Sequence, residues 1–205
     1  LRSIRILLFA LWMTCSAAAA PGERTLLVFG DSLSAAYGLR AEQGWVTQLQ
    51  QRLASEGYGY HVVNASVSGE TTSGGRNRLE RALGQHKPAV VLLELGANDG
   101  LRGLPVKDSQ ANLQAMIEMS QAAGAKVLLL GIRIPPNYGP QYTRAFEAMY
   151  TSLAAERKVP LLPFLLEGIA LDPRYMQADG LHPNVEGQPR VLANVWPQLK
   201  PLLER

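Results

Sequence analysis

Short apolar runs alternate along this chain with longer segments in which apolar residues return every three or four positions. Thr25–Phe29, His61–Asn64, Ala89–Leu95, Lys126–Ile132 and Val159–Leu162 are rich in Val, Ile and Leu and are bounded by Gly, Pro, Asn or Asp. Runs apolar on both faces are expected of buried parallel strands. Between them, Trp45–Glu56, the region of Gly75–Leu83, Asp108–Ala123 and Gln141–Lys158 carry helical patterns, and Gln188–Leu203 follows last. In the third of these segments Leu113, Met116, Ile117 and Met119 mark the apolar stripe. Gly57 and Gly124 stand where helices stop, and Pro197 and Pro201 are expected to break or shorten the last one.

Strand and helix in turn require right-handed crossovers, hence a parallel sheet covered on both faces. The expectation is a three-layer α/β/α domain with five parallel strands in the flavodoxin-like order 2-1-3-4-5. In that order strands 1 and 3 are neighbours whose connections leave in opposite directions, so a crevice opens at their carboxyl ends. Two polar turns converge there: Gly30-Asp31-Ser32 after strand 1 and Gly96-Ala97-Asn98-Asp99 after strand 3.

The first twenty residues break the pattern. Arg2 and Arg5 precede the apolar run Ile6–Met13, and the segment closes on Ala18-x-Ala20. A basic start, a short apolar middle and a small-residue exit predict a secretory signal peptide cleaved after Ala20. A spanning helix needs roughly 20 predominantly apolar residues, so a permanent anchor is not expected. The reading is a leader at 1–20, one domain at 21–205, and an exported protein of the periplasm or the outside medium. Cys15 falls within the leader, and Trp12, Met13 and Thr14 before it are unlike the small residues that precede a lipid-modified cysteine.

Removing the leader lowers the basic count from 20 to 18 against 17 acidic groups, and the net charge from +3 to +1. That balance lacks the clustered positive excess that binds nucleic acid. The local cluster Arg76, Arg78 and Arg81 is interleaved with Glu80, as on a solvated helix face. With Cys15 gone no cysteine remains, which excludes disulfides, thiolate zinc sites and a cysteine nucleophile.

Ser32 therefore stands out as a hydroxyl placed at a ligand crevice. It becomes a nucleophile only beside a base, normally an imidazole held in one tautomer by a carboxylate. The candidates are His61, His86 and His182. His61 opens a strand and His86 precedes strand 3, both at the far end of the sheet. His182 lies in Asp179-Gly180-Leu181-His182-Pro183, after strand 5 and on the carboxyl side. Gly180 permits a sharp turn and Pro183 can start a helix, so Asp179 can accept the Nδ1 proton and leave Nε2 facing Ser32. Acyl transfer also requires donors aimed at an oxyanion. The Ser32 backbone N–H on a turn into a helix, the Gly69 N–H, approachable for want of a side chain, and the Asn98 amide are the candidates.

Gly-Asp-Ser-Leu-Ser at 30–34, Gly69, Gly-Ala-Asn-Asp at 96–99 and Asp-Gly-Leu-His at 179–182, in this order, resemble the SGNH/GDSL hydrolase family. The flanking Asn64-Ala-Ser-Val-Ser-Gly-Glu-Thr-Thr72 and Leu95-Gly-Ala-Asn-Asp-Gly-Leu101 are similar to its branch of bacterial multifunctional thioesterase I, lysophospholipase and arylesterase. The resemblance runs through nearly all of residues 21–205. It implies the SGNH hydrolase fold, Ser32 as nucleophile, Asp179 and His182 as its partners, and Ser32, Gly69 and Asn98 as the oxyanion hole. Ala97 departs from the two glycines of many relatives, without consequence if its backbone angles are ordinary.

The expected activity is that of a serine esterase acting through an acyl-enzyme on small-molecule acyl esters, with lipid and aryl esters foremost and thioesters and lysophospholipids within range. No cofactor or metal, no nucleic acid and no stable membrane anchor are expected. Transient lipid contact and a monomer are. Three alternatives differ in kind: an acyl-CoA thioesterase, a magnesium-dependent phosphoryl-transfer enzyme using Asp31, and an inactive lipid-binding protein. Against the second, no carboxylate follows Asp31 at close spacing and no Gly-rich phosphate loop with Lys follows strand 1. The loop Arg133–Pro140 is expected to wall an acyl pocket, whereas Leu162, Phe164, Leu165, Leu166 and Ile169 are expected to pack on the sheet. Glu94, inside an apolar strand, needs a partner such as an Arg or a backbone donor.

Overall fold

The computed structural model describes residues 24–205. The predicted leader, its cleavage point after Ala20 and Cys15 lie outside the described residues. Strands β1 (Arg24–Gly30), β2 (Tyr60–Asn64), β3 (Val90–Glu94), β4 (Lys126–Leu130) and β5 (Leu161–Leu162) form one parallel sheet in the order β2-β1-β3-β4-β5. Helices α1 (Trp45–Ser55), α2 (Thr72–His86), α3 (Ala97–Leu101), α4 (Val106–Ala122), α5 (Pro140–Arg157) and α6 (Gln188–Leu199) supply the connections and cover the sheet. The expected order and layers are therefore observed.

The core follows from the pattern. Leu26–Phe29, Val90–Leu93 and Leu128–Leu130 are fully buried, as central parallel strands require. Trp45, Leu49 and Leu53 of α1, Leu79 of α2, Leu113, Met116 and Ile117 of α4, and Phe146, Tyr150 and Leu153 of α5 close over them. Gly57 and Gly124 adopt φ of +76° and +83° just past α1 and α4, the left-handed backbone that glycine allows without strain.

Three local expectations fail for identifiable reasons, and another holds in part. β5 is only two residues long because Pro160 and Pro163 bracket it and bring no N–H to the ladder; the Pro160 carbonyl still accepts from the Leu129 N–H at 3.0 Å. The last helix is shortened as expected, ending at Leu199 before a 3₁₀ turn at Lys200–Leu202 that holds Pro201, but Pro197 does not break α6. It removes one ladder bond near the helix end, at a cost of about 3 kcal/mol. Burial of Val191, Leu192, Val195, Trp196 and Leu199 offsets that, at ~1.5–3 kcal/mol for a fully buried side chain. No helix follows Ser32: residues 31–39 form successive turns, interrupted by Ala36 at φ +58° and Gly38 at φ +73°. Nor does a helix start at Pro183. The chain turns again through Asn184, whose Oδ1 accepts the Gly187 N–H at 3.0 Å, and α6 begins at Gln188.

A β-bridge between Met176 and Pro183 closes residues 177–182 into a small hairpin at the carboxyl edge of the sheet. No helix among the described residues is long and apolar enough to cross a membrane.

Candidate active site

The carboxyl ends of β1 and β3 and the hairpin after β5 bring Ser32 and His182 together across 150 positions of sequence. Ser32 Oγ lies 2.8 Å from His182 Nε2, and His182 Nδ1 lies 2.7 Å from Asp179 Oδ2. Asp179 Oδ1 accepts the N–H groups of Leu181 at 2.9 Å and His182 at 3.0 Å, which fixes the carboxylate on its own turn. Partial burial opposes ionisation of Asp179. The hydrogen bonds from the His182 ring and from these two N–H groups outweigh it and hold the carboxyl below its usual value. An ionised Asp179 keeps the imidazole proton on Nδ1, so the Nε2 lone pair accepts the Ser32 hydroxyl proton. The Tyr37 ring lies 4.6 Å from the imidazole, and Gln177 Nε2 donates to the Tyr37 carbonyl at 2.8 Å, tying the turn of Ser32 to the hairpin of His182.

The oxyanion candidates lie on three loops at this carboxyl edge of the sheet, and Ser32 and Asn98 line the same cavity. The backbone N–H groups of Ser32 and Gly69 have no acceptor among the described residues. At Gly69 a Cβ would meet no protein atom within 4 Å, and φ of +80° is a conformation that side chains disfavour. Asn98 stands in the first turn of α3, a helix the sequence pattern did not predict, which also gives Ala97 ordinary helical angles. Its Nδ2 donates to Asp31 Oδ2 at 3.1 Å and to the Glu70 carbonyl at 2.9 Å.

Under the Ser32 turn lies a pair of carboxyls. Glu94 is fully buried at the end of β3, and its Oε2 accepts the Asp31 N–H at 3.2 Å and the Ser34 hydroxyl at 2.8 Å. Its partners are thus a backbone donor and a serine, not an Arg. Gly30 must be glycine, because a Cβ there would lie 2.5 Å from Glu94 Oε2 and 2.9 Å from the Glu94 carbonyl. Burial pushes Asp31 up to about 6 against the opposing Leu33 N–H, His182 and Asn98. Burial, then the neighbouring Asp31 charge, pushes Glu94 well above the carboxylate range. Asp99 takes a different part. It accepts the Thr72 N–H at 2.9 Å, the Thr72 hydroxyl at 2.6 Å and the Ser109 hydroxyl at 3.1 Å, tying α2 and α4 to α3.

His61 and His86 lie at the amino edge of the sheet, away from Ser32; His61 pairs with Thr25 at the start of β1. Beside Ser32 a cavity of ≈180 Å³ is lined by Leu33, Leu101, Ile132, Ile134, Leu166 and Leu181, among others. Of the loop Arg133–Pro140, expected to wall an acyl pocket, Arg133, Ile134 and Pro135 line this cavity, while Tyr138, Gly139 and Pro140 line another. Leu162, Leu165 and Ile169 pack in the core, and Leu166 does so while also facing the cavity.

Residues 28–190 match the model of the GDSL-like lipase/acylhydrolase family. The chain is similar to esterase TesA of Pseudomonas aeruginosa, at 58% identity over 180 residues, covering 88% of this chain and 90% of that protein. It is 45% identical over 196 residues to thioesterase 1/protease 1/lysophospholipase L1 of Escherichia coli, covering 96% and 91% of the two chains. Among solved structures, a TesA crystal structure matches with a TM-score of 0.86 at 58% identity, covering 88% of this chain and all of that one. The psychrotrophic esterase EstA of Pseudoalteromonas, in a structure inhibited by monoethylphosphonate, matches at 0.83 and 46% identity, covering 87% and 97%.

Proposed function

We propose, for a chain that belongs to the GDSL-like lipase/acylhydrolase family, that it is a serine esterase working through Ser32, His182 and Asp179. The observation that carries this is the continuous line from Asp179 through His182 to the Ser32 hydroxyl, with links of 2.7 and 2.8 Å, on a turn whose Ser32 N–H has no acceptor among the described residues. In the forward step Ser32 Oγ attacks the acyl carbonyl while its proton passes to Nε2. The tetrahedral oxyanion then forms against the N–H groups of Ser32 and Gly69 and the Asn98 amide, which turns toward it the Nδ2 proton that at rest faces the Glu70 carbonyl. The imidazolium, stabilised by Asp179, returns the proton to the departing alcohol or thiol. Water repeats the sequence on the acyl-enzyme and frees the acid. Each oxyanion donor is worth about 3–4 kcal/mol of barrier at such sites.

The phosphoryl-transfer reading has less support. Both Asp31 oxygens face protein donors, the Leu33 N–H at 3.0 Å and Asn98 Nδ2 at 3.1 Å, so Asp31 is engaged in holding the site. The apolar cavity beside Ser32 favours an acyl chain over a phosphoryl group. Aryl and lipid esters, lysophospholipids among them, are the substrates we assign. The relatives named arylesterase and lysophospholipase support that choice. The basic, apolar, small-residue order of residues 1–20 supports export to the periplasm, with residues 21–205 acting as one monomeric domain. Labelling with a fluorophosphonate tests the nucleophile. The wild type is expected to label and Ser32→Ala not to, and labelling that survives the substitution removes Ser32 from the role. On the wild type, kcat/KM over a series of acyl lengths, with alcohol and thiol leaving groups matched, reads the pocket; a flat profile would rule out a defined acyl site.

A further inference from the structure

Glu94 is titratable, wholly buried and absent from the chemistry described above, yet it sits one hydrogen bond from the nucleophile's own turn. Its Oε2 holds the Asp31 N–H and the Ser34 hydroxyl; Asp31 in turn holds Asn98 Nδ2 at 3.1 Å. Asn98 has a second anchor in the Glu70 carbonyl at 2.9 Å, and Glu70 is clamped by Arg78 through a 2.6 Å ion pair. Nδ2 carries only two protons, so donating to an oxyanion frees it from the Glu70 carbonyl, and the bond to Asp31 is then what holds the amide in place. We propose that Glu94 is a positioning residue of the oxyanion hole, acting through Asp31 on the Asn98 amide. The inference rests on the esterase reading of this site.

The protonation state follows from what surrounds the group. Asp31 faces Glu94 from the β1 turn, Asp99 lies on α3, Tyr150 reaches in from α5 with its hydroxyl on the Leu95 carbonyl at 2.9 Å, and His182 stands beyond Asp31. The nearby cation is Arg78 of α2, but its guanidinium is committed to Glu70, the Ala65 carbonyl and the Gly30 carbonyl. Two buried carboxyls in contact cannot both ionise at tolerable cost, so one proton is shared between them. Glu94, the more deeply buried, keeps it and hydrogen-bonds Asp31, while Asp31 remains the acceptor that Asn98 needs. Glu94 Oε1, buried and otherwise without a partner among the described residues, is the oxygen free to carry that proton. A neutral acid here accepts twice through Oε2 and donates once, a set of bonds that an amide reproduces and a hydrocarbon does not.

The test is a double-mutant cycle on wild type, Glu94→Met, Asn98→Ala and the double variant, with kcat and KM for a short aryl ester as the readout. Glu94→Gln is measured beside them. Asn98→Ala is expected to lower kcat by about 10²–10³-fold. Glu94→Met is expected to lower it by more than tenfold with KM within threefold, and the double variant to match Asn98→Ala within threefold. Glu94→Gln is expected to keep kcat within threefold, and the infrared carbonyl band of a protonated carboxyl, present in the wild type, to vanish in it. Multiplying losses in the double variant would overturn the proposal, because a general loosening of the fold costs the same with or without the amide. A Glu94→Gln variant as impaired as Glu94→Met would also overturn it by requiring the charge. If Glu94→Met does not fold, Ser34→Ala replaces it in the cycle, removing the 2.8 Å bond to Glu94 without touching the apolar core. A wild type that hydrolyses no ester would instead defeat the esterase reading, and is seen before any variant is compared.

Discussion

Replacing Asp179 by Asn tests the proposed triad harder than deleting the carboxylate does. Asp179 Oδ1 accepts two backbone N–H groups at 2.9 and 3.0 Å, while Oδ2 faces His182 Nδ1 at 2.7 Å. An Asn in the same rotamer must place either its oxygen or its NH2 on the turn. With the NH2 there, two N–H donors would confront a third donor, losing two hydrogen bonds worth ~0.5–1.5 kcal/mol each. The oxygen therefore stays on the backbone and the NH2 meets Nδ1, which can then only accept. The imidazole proton moves to Nε2, and Nε2 can no longer accept from the Ser32 hydroxyl 2.8 Å away. At a buried triad this wrong tautomer costs about 10⁴-fold in kcat.

Here the Asp179 side chain is 37% exposed, so water can reach the pair and rescue part of the loss. The expected fall in kcat/KM on an aryl ester near neutral pH is about 10³-fold, or ~4 kcal/mol. Asp179→Ala leaves Nδ1 open to water and free to keep its proton, so it is expected to lose less than Asp179→Asn does. Asn, the closer mimic in shape, should thus be the worse enzyme. Steady-state kinetics of the two variants, with thermal melts to show equal folding, decide the matter. Asp179→Asn within tenfold of the wild type, or Asp179→Ala below it, would refute the tautomer argument.

Two further outcomes follow from groups packed beneath the site. Asp31 ionises in the folded protein only near 6, against 3.8 for a free carboxyl, so the fold binds its proton more tightly than the unfolded chain does; stability then falls as pH rises from about 4 through about 6. Asp31→Asn should flatten that part of a melting-temperature profile, and an unchanged slope would show that the carboxyl pair is not its source. Gly75 of α2 faces the sheet, and a Cβ there would run into Leu95 and approach Phe29 to 3.3 Å. Gly75→Ala should cost ~1–3 kcal/mol, reduced by the better helix propensity of Ala. That is a drop of about 2–8 °C in Tm with kcat of the folded protein unchanged; a rise in Tm would mean that the interface yields freely.

What could be foreseen from the sequence and what could not divide along one physical line. Strand order and the meeting of residues 32, 69, 98 and 182 at one edge depend on burial patterns and crossover handedness, which are written into runs such as Val90–Leu93 and hold whatever the loops do. The turns were less legible, because each is decided by contacts distant in sequence. Ala36 adopts a left-handed φ in a segment of small residues that reads as a helix start, with its carbonyl held by Leu39 and its methyl beside Gly44. Asn184 and the Met176–Pro183 bridge delay α6 by five residues beyond the proline that could have begun it. Glu94 is the sharpest case: its place in an apolar strand demands a partner, but Ser34 lies 60 positions away and is also a residue of the Gly-Asp-Ser-Leu-Ser stretch. That stretch therefore serves two ends at once. Ser32 faces the cavity, while Gly30, the Asp31 N–H and the Ser34 hydroxyl grip a buried acid from above, which explains why a glycine and a second serine accompany the nucleophile. A serine placed on the same turn without that grip would keep its hydroxyl but not the fixed separation from Asn98 that an oxyanion site requires.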